Sequence, residues 1–424
     1  MHDTLESSRE RAQSGDATER ASLRLAFAGG GSGGHIVPGL HLLEALDFGE
    51  RTLEDLVWFQ SGRAVESRVM EGVARRLADT SFERVCLEIE PDGGGAPSRS
   101  RLAWRLPPEI WRARSALRRH KIDVVLGLGG FTAVPVVLAA RSLRLPVALL
   151  EVNATSGRAT KVLGPLADII FHAWKGTMPG QEDGKNLYVG APLGPAFLPE
   201  EPVRGPATGD APDPEPGRDL ATLEGGDEGL DALQRGRVKI EFGFAPDRPL
   251  LVVFGGSQGA KPLNDFIRQH QTALCAAGIQ VMHQVGPGRS NEAAAPIEGY
   301  RVLEYVNDVP GALMAADLVL CRGGASTLAE VGAMGTPAWV VPYPHHADRH
   351  QERNARQLGD GVRILEEREL VAQLAAELVR VLGPEGHAEL AEMRAALSGA
   401  VPCDGALKVW DGLFAMRRAV SVSS

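Results

Sequence analysis

Apolar residues in this chain gather into short unbroken runs, and most runs are followed by a stretch with helical spacing. The runs at 23–28, 56–60, 85–89, 124–128 and 147–151 predict strands, and the stretches at 37–46, 110–119 and 132–141 predict helices. Continuous Val/Leu runs separated by helices are the mark of a parallel sheet covered on both faces. The rhythm stops at 199–231, where prolines, glycines and acids accumulate, as in Asp213-Pro214-Glu215-Pro216-Gly217. Such a composition cannot bury a core and reads as an insertion or linker. Strand-like runs resume at 250–254, 280–284, 302–305, 318–321 and 338–342, with helices between them. A last helix, over 406–419, is expected to pack back on the first half. The expected organisation is a disordered extension (1–22), an α/β domain (23–198), the insertion (199–235), a second α/β domain (236–400) and a returning C-terminal segment (401–424).

The length of 424 residues exceeds what one core can serve and suits two domains. A formal net charge of -9 argues against nucleic acid as a general partner, because that role needs a basic footprint. The four cysteines, Cys86, Cys275, Cys321 and Cys403, form no CxxC pair and no zinc spacing, and read as free thiols of a reducing compartment. Residues 1–22 are polar and lack the apolar centre of a signal peptide. The apolar stretch at 133–150 carries Arg141, Arg144 and two prolines, unlike a span of about 20 uncharged residues. A cytoplasmic protein with at most peripheral membrane contact is therefore expected.

Chemistry concentrates in four places. Gly29-Gly30-Gly31-Ser32-Gly33-Gly34-His35 follows the first strand, and Gly255-Gly256-Ser257-Gln258-Gly259-Ala260 follows the first strand of the second half. Glycines there permit sharp turns and close approach of backbone amides, and the next helix offers unpaired N–H groups to an anion. A dinucleotide site would also want an acid near the end of the second strand, but that strand ends in Gln60-Ser61-Gly62-Arg63. The third place is Cys321-Arg322-Gly323-Gly324-Ala325-Ser326-Thr327-Leu328-Ala329-Glu330, a strand–turn–helix whose amides suit a diphosphate and whose Glu330 could accept from a ribose diol. The fourth runs from Pro342 to Ala355 with His345, His346, Asp348 and His350. There Gln351 and Asn354 can give and accept hydrogen bonds to hydroxyls, a use preferred over a metal site.

Taken together, the segments GGGSGGHIVPGL, VLGLGGF (125–131), GGSQGA, RGGASTLAE and PYPHHADRHQERNA resemble the bacterial UDP-N-acetylglucosamine–N-acetylmuramyl-(pentapeptide) pyrophosphoryl-undecaprenol N-acetylglucosamine transferases, the MurG family. The resemblance runs from about residue 23 to the C-terminal helix, outside 199–235. It implies an α/β protein of the GT-B fold, with two Rossmann-like domains and a cleft between them. The N-terminal domain would take the acceptor and meet the membrane, and the C-terminal domain would bind the UDP-sugar. The implied reaction is inverting transfer of N-acetylglucosamine from UDP-N-acetylglucosamine to lipid I (undecaprenyl-pyrophosphoryl-MurNAc-pentapeptide), at the cytoplasmic face of the inner membrane, with no cofactor and no essential catalytic metal. By match, Ser32, Gly33 and Gly34 would lie near the donor and the acceptor diphosphate, and Asn153 and Ser257 would contact the donor. Val306 would lie in the uracil segment. Ala325, Ser326, Thr327, Leu328, Ala329 and Glu330 would cover phosphates and ribose, and Gln351 would bind sugar hydroxyls.

Two positions depart from the family pattern. Val152 stands in Leu150-Glu151-Val152-Asn153 where His-Glu-Gln-Asn is usual, and Gly190-Ala191-Pro192-Leu193-Gly194 lacks the usual arginine. Arg158 and Lys161 are nearby basic residues. His35 is the candidate general base, since a neutral imidazole suits proton removal near pH 7. The stretch 99–121 holds eight Arg/Lys beside Trp104 and Trp111, which suits an anionic lipid surface. Two other readings stay open: a GT-B enzyme with another lipid or small-molecule acceptor, and a non-catalytic nucleotide-sugar-binding relative.

Overall fold

The computed structural model describes residues 21–31, 33–47, 51–70, 73–77, 80–89, 99–178, 184–198, 227–290, 297–346 and 348–422. Ser32, nearly all of the expected N-terminal extension, and 199–226 of the expected insertion lie outside them.

The first domain runs β1 (Ala21–Gly29), α1 (Gly33–Glu44), β2 (Arg51–Gln60), α2 (Ala64–Val69), α3 (Val73–Arg76), β3 (Ser81–Cys86) and α4 (Arg99–Arg119). It continues through β4 (Val124–Gly129), α5 (Ala133–Ser142), β5 (Val147–Glu151), α6 (Arg158–Leu163), β6 (Ile169–His172) and β7 (Asn186–Tyr188). The second domain runs α7 (Asp227–Glu241), β8 (Leu250–Phe254), α8 (Lys261–Ala276), β9 (Gln280–Gln284), β10 (Tyr300–Leu303), α9 (Val309–Ala315) and β11 (Leu318–Cys321). It ends with α10 (Ala325–Ala333), β12 (Ala338–Val340), α11 (His350–Arg356), β13 (Val362–Ile364), α12 (Ala372–Leu382) and α13 (His387–Leu397), before α14 (Gly405–Val422).

Both sheets are parallel and doubly wound. Their orders are β3-β2-β1-β4-β5-β6-β7 and β10-β9-β8-β11-β12-β13. In each, the order reverses beside the first strand of the domain, and the crevice beyond the strand ends at that point is where such sheets bind ligands. Side chains alternate between two covered faces. Leu25, Phe27 and Leu126 pack with α1 and with Val409, Trp410 and Leu413 of α14. Ala26, Ala28 and Val125 pack with Ala113 of α4 and Val136 of α5. Trp410 Nε1 donates to the Leu42 carbonyl at 2.7 Å, so α14 closes one face of the first domain's core.

The structure departs from the sequence-based element limits where strands are exposed or short. β3 and β10 are edge strands with mostly open side chains, so hydrophobicity misjudged their limits. β6, β7 and β13 have only three or four residues and were not anticipated. α1 begins at Gly33, inside the glycine run, and α4 extends back to Arg99 through Pro107 and Pro108. Residues 227–235, assigned above to the insertion, are helical. Lys239 in the same helix is buried against Asp317, 2.6 Å away, which ties it to the second domain.

Candidate functional site

A cleft of about 1880 Å³ opens between the domains at the two switch points. Its walls begin with the glycine loops, which meet. A Cβ added to Gly33 would lie 3.0 Å from both Cβ and Oγ of Ser257. Both loops therefore present backbone to one crevice.

The first loop is held from beneath by a buried carboxylate. Glu66 Oε1 accepts from Gly31 N, Ser61 N (3.1 Å) and Ser61 Oγ (2.6 Å), and Oε2 accepts from Gly62 N (2.6 Å) and Arg63 N (3.0 Å). Arg63 Nη1 donates back to Gly31 O at 3.0 Å. A Cβ at Gly30 would come within 2.5 Å of Glu66 Oε1, which is why the loop needs glycine there. His35, in the first turn of α1, has Nδ1 2.9 Å from Gly30 O. A carbonyl only accepts, so Nδ1 carries the proton and Nε2 of the neutral ring carries the lone pair. Gly129 and Gly130, with φ of 110° and 77°, leave room for the ring; a Cβ at Gly129 would sit 2.9 Å from His35 Cδ2.

The second loop is braced by Gln284, whose Oε1 accepts from Gly255 N (3.1 Å) and whose Nε2 donates to Gly256 O (2.9 Å). α10 opens onto the same space. Its N-cap, Gly324, has no side chain to satisfy the first amides, so the N–H groups at 325–327 face the cleft with the positive end of the helix dipole. Ser326 Oγ and His346 Nδ1 both line the cleft as buried polar atoms without a hydrogen-bond partner. Both atoms can therefore meet a polar group bound in the cleft.

Side-chain hydrogen bonds join the domains around the cleft, one of them from Arg353 Nη1 to Thr155 Oγ1 at 3.2 Å. His41 Nε2 of α1 lies 3.2 Å from Glu330 Oε1 of α10. Asn354 Nδ2 donates to Asn153 Oδ1 (3.2 Å), and Asn354 Oδ1 accepts from Ala154 N (2.8 Å). Glu151 fixes Asn153 by accepting from its backbone and side-chain nitrogens, each at 3.0 Å, and also accepts from Gly157 N and Thr160 Oγ1.

Gly33, Gly34, His35, Asn153, Ser257, Val306, Ala325, Ser326, Thr327, Glu330 and Gln351 all border this one cavity. Leu328 and Ala329 do not. They occupy the inward face of α10 and belong to the second domain's core, because a helix can present only one side to the cleft. Asn354, read above as a hydroxyl ligand, is fully buried and spent on the bridge between domains. In the histidine-rich loop, His346 and His350 stack at 4.2 Å, and His350 Nδ1 is 2.8 Å from Asp348 Oδ1. Burial, aided by His350, lowers the His346 pKa. Among the described residues no group of three or more His, Cys, Asp or Glu is arranged to hold a metal ion. Glu66, Gln284 and His41 escaped sequence reasoning. The first is detectable only as an acid in the first turn of α2, and the other two carry no local signal.

Comparison with known proteins bears on this geometry. Residues 25–172 match the glycosyltransferase family 28 N-terminal domain and residues 250–401 its C-terminal domain. The chain is 34% identical over 363 residues to the UDP-N-acetylglucosamine–N-acetylmuramyl-(pentapeptide) pyrophosphoryl-undecaprenol N-acetylglucosamine transferase of Verminephrobacter eiseniae, covering 83% of this chain and 88% of that one. It is 32% identical over 395 residues to the protein of the same name from Halorhodospira halophila, covering 91% and 96%. Among solved structures, Acinetobacter baumannii MurG superposes with a TM-score of 0.61 at 23% identity, covering 92% of this chain and 99% of that one. The UDP-GlcNAc 2-epimerase of Neisseria meningitidis bound to UDP-GlcNAc reaches 0.59 at 12% identity, covering 92% and 99%. At these identities the superpositions speak for the shared two-domain fold.

Proposed function

The chain belongs to glycosyltransferase family 28, and from that premise we propose that it transfers N-acetylglucosamine from UDP-N-acetylglucosamine to the muramic sugar of lipid I, forming lipid II for peptidoglycan. The observation that carries the reading is the meeting of two glycine loops and the α10 N-terminus in one interdomain crevice. A nucleoside diphosphate bears the charge that such amides stabilise, and its departure as an anion is the step they favour.

In this reading the α10 amides at Ala325, Ser326 and Thr327 and the Ser257 loop hold the diphosphate. Glu330 accepts from the ribose diol, Val306 borders the uracil, and Asn153 and Gln351 meet the sugar. The Gly33–Gly34 turn receives the acceptor diphosphate. His35 takes the proton from the attacking 4-hydroxyl through Nε2 while that oxygen attacks the anomeric carbon opposite UDP, which inverts the centre. The hydrogen bond from Nδ1–H to the Gly30 carbonyl supports this role, because it fixes the tautomer that a base requires. His35→Ala is expected to lower turnover at saturating donor by about 10²-fold or more; near-normal turnover would remove it as the base.

Membrane contact belongs to the same proposal. Trp104 and Trp111 on the basic helix α4 are 84% and 72% exposed, and both rings would enter the interface of an anionic bilayer. No helix among the described residues is long and apolar enough to cross a membrane.

The deciding assay follows radiolabel from UDP-N-acetylglucosamine onto lipid I, diacylglycerol or a soluble aglycone. Label on lipid I alone supports the proposal. Label on another acceptor, or donor binding without transfer, overturns it.

A further inference from the structure

His41 lies in the cleft wall between two carboxylates. Its Nδ1 is 3.4 Å from Glu44 Oε2 on its own helix, and its Nε2 is 3.2 Å from Glu330 Oε1 on α10 of the other domain. His41 and Glu330 are each 7% exposed, and Phe197 packs edge-on against the imidazole with ring centres 5.2 Å apart. A neutral imidazole has one N–H and can satisfy one carboxylate; only the imidazolium donates to both. Burial works to lower the pKa of this ring. The hydrogen bonds and charges of Glu330 and Glu44 outweigh it and hold the value at about 9.

The neighbouring turn has made room for this arrangement. A Cβ on Gly194 would collide with Glu44 Oε2 and lie 3.2 Å from His41 Nδ1. Gly194 is the position that lacks the arginine expected from the family pattern. The turn at 194–197 thus brings no cation to the site, while α1 brings His41.

We propose that His41 is a positioning residue for the nucleotide ribose: as a cation delivered from the first domain, it holds one oxygen of Glu330 and leaves the other aimed at the diol. The inference rests on the donor reading above, in which Glu330 is the ribose acceptor. An ionised carboxylate so deeply buried needs a charged partner, and His41 supplies it across the domain boundary. The donor site is therefore complete only when the two domains are in register.

The test uses the full chain and two probes, UDP and 2′-deoxy-UDP, titrated calorimetrically into wild type, His41→Ala, Glu330→Ala and the double variant. Wild type is expected to prefer UDP by about tenfold or more. His41→Ala is expected to lose most of that preference, and adding it to Glu330→Ala should change nothing further. In turnover, donor KM should rise while kcat stays within a few-fold. His41→Met fills the space without a donor and is measured in the same way if the alanine variant does not fold. Should either folded variant keep the wild-type preference, the inference falls and the donor reading stands. Should wild type ignore UDP, both fall.

Discussion

Replacing Glu66 by glutamine keeps the shape of the side chain and removes its charge, at a point where five donors converge on two oxygens. The remaining amide oxygen can still serve the three donors at Oε1. The new NH₂ then faces Gly62 N and Arg63 N, which donate to Oε2 in the wild type at 2.6 and 3.0 Å. Two charge-assisted bonds are lost and two backbone donors meet a donor; Gly62 is exposed and can rehydrate, so the loss is about 3 kcal/mol, near the lower end for such a change. For a domain of this size that corresponds to roughly 6–12 °C in the melting temperature of the first domain. Scanning calorimetry measures it, with UDP titration alongside, because the same carboxylate shapes the loop that meets Ser257. A variant that melts within about 2 °C of wild type and binds UDP equally well would refute the claim that Glu66 holds the loop.

Other consequences follow from the same contacts. Gly323→Ala would drive a Cβ into the backbone oxygen of Gln351, so α10 and α11 must separate; a rise in donor KM of about tenfold or more is expected, and an unchanged KM would contradict that close packing. The folded pKa of His41 is about 9 against an ordinary 6.5. Its contribution to stability is thus complete below about pH 6.5 and fades as pH rises through 9, by at most roughly 3 kcal/mol. Denaturant titrations of wild type and His41→Met should therefore diverge at pH 6 and converge at pH 10, and a gap constant with pH would count against the ion pair. Replacing both Trp104 and Trp111 by alanine should weaken flotation with anionic vesicles and leave UDP affinity unchanged; equal flotation would free α4 from the membrane role.

The amino-acid sequence by itself determined the two parallel sheets and the glycine turns that end β1 and β8. Buried parallel strands must be nearly continuous in apolar residues, and particular positions of those turns admit only glycine. It also marked eleven of the residues that border the cleft, because phosphate-type turns are local in sequence. It misread the edge strands and the start of α1, where exposure or glycine hides the element. It counted Leu328 and Ala329 as ligands because a motif does not say which side of a helix faces the core. Only the tertiary structure decided that Asn354 bridges the domains, that Glu66 sits under the first loop, and that His41 reaches Glu330 across 289 positions of chain. The first and last of these depend on how the two cores dock, the second on how distant turns of one domain meet, and neither leaves a periodic trace in a linear pattern of residues.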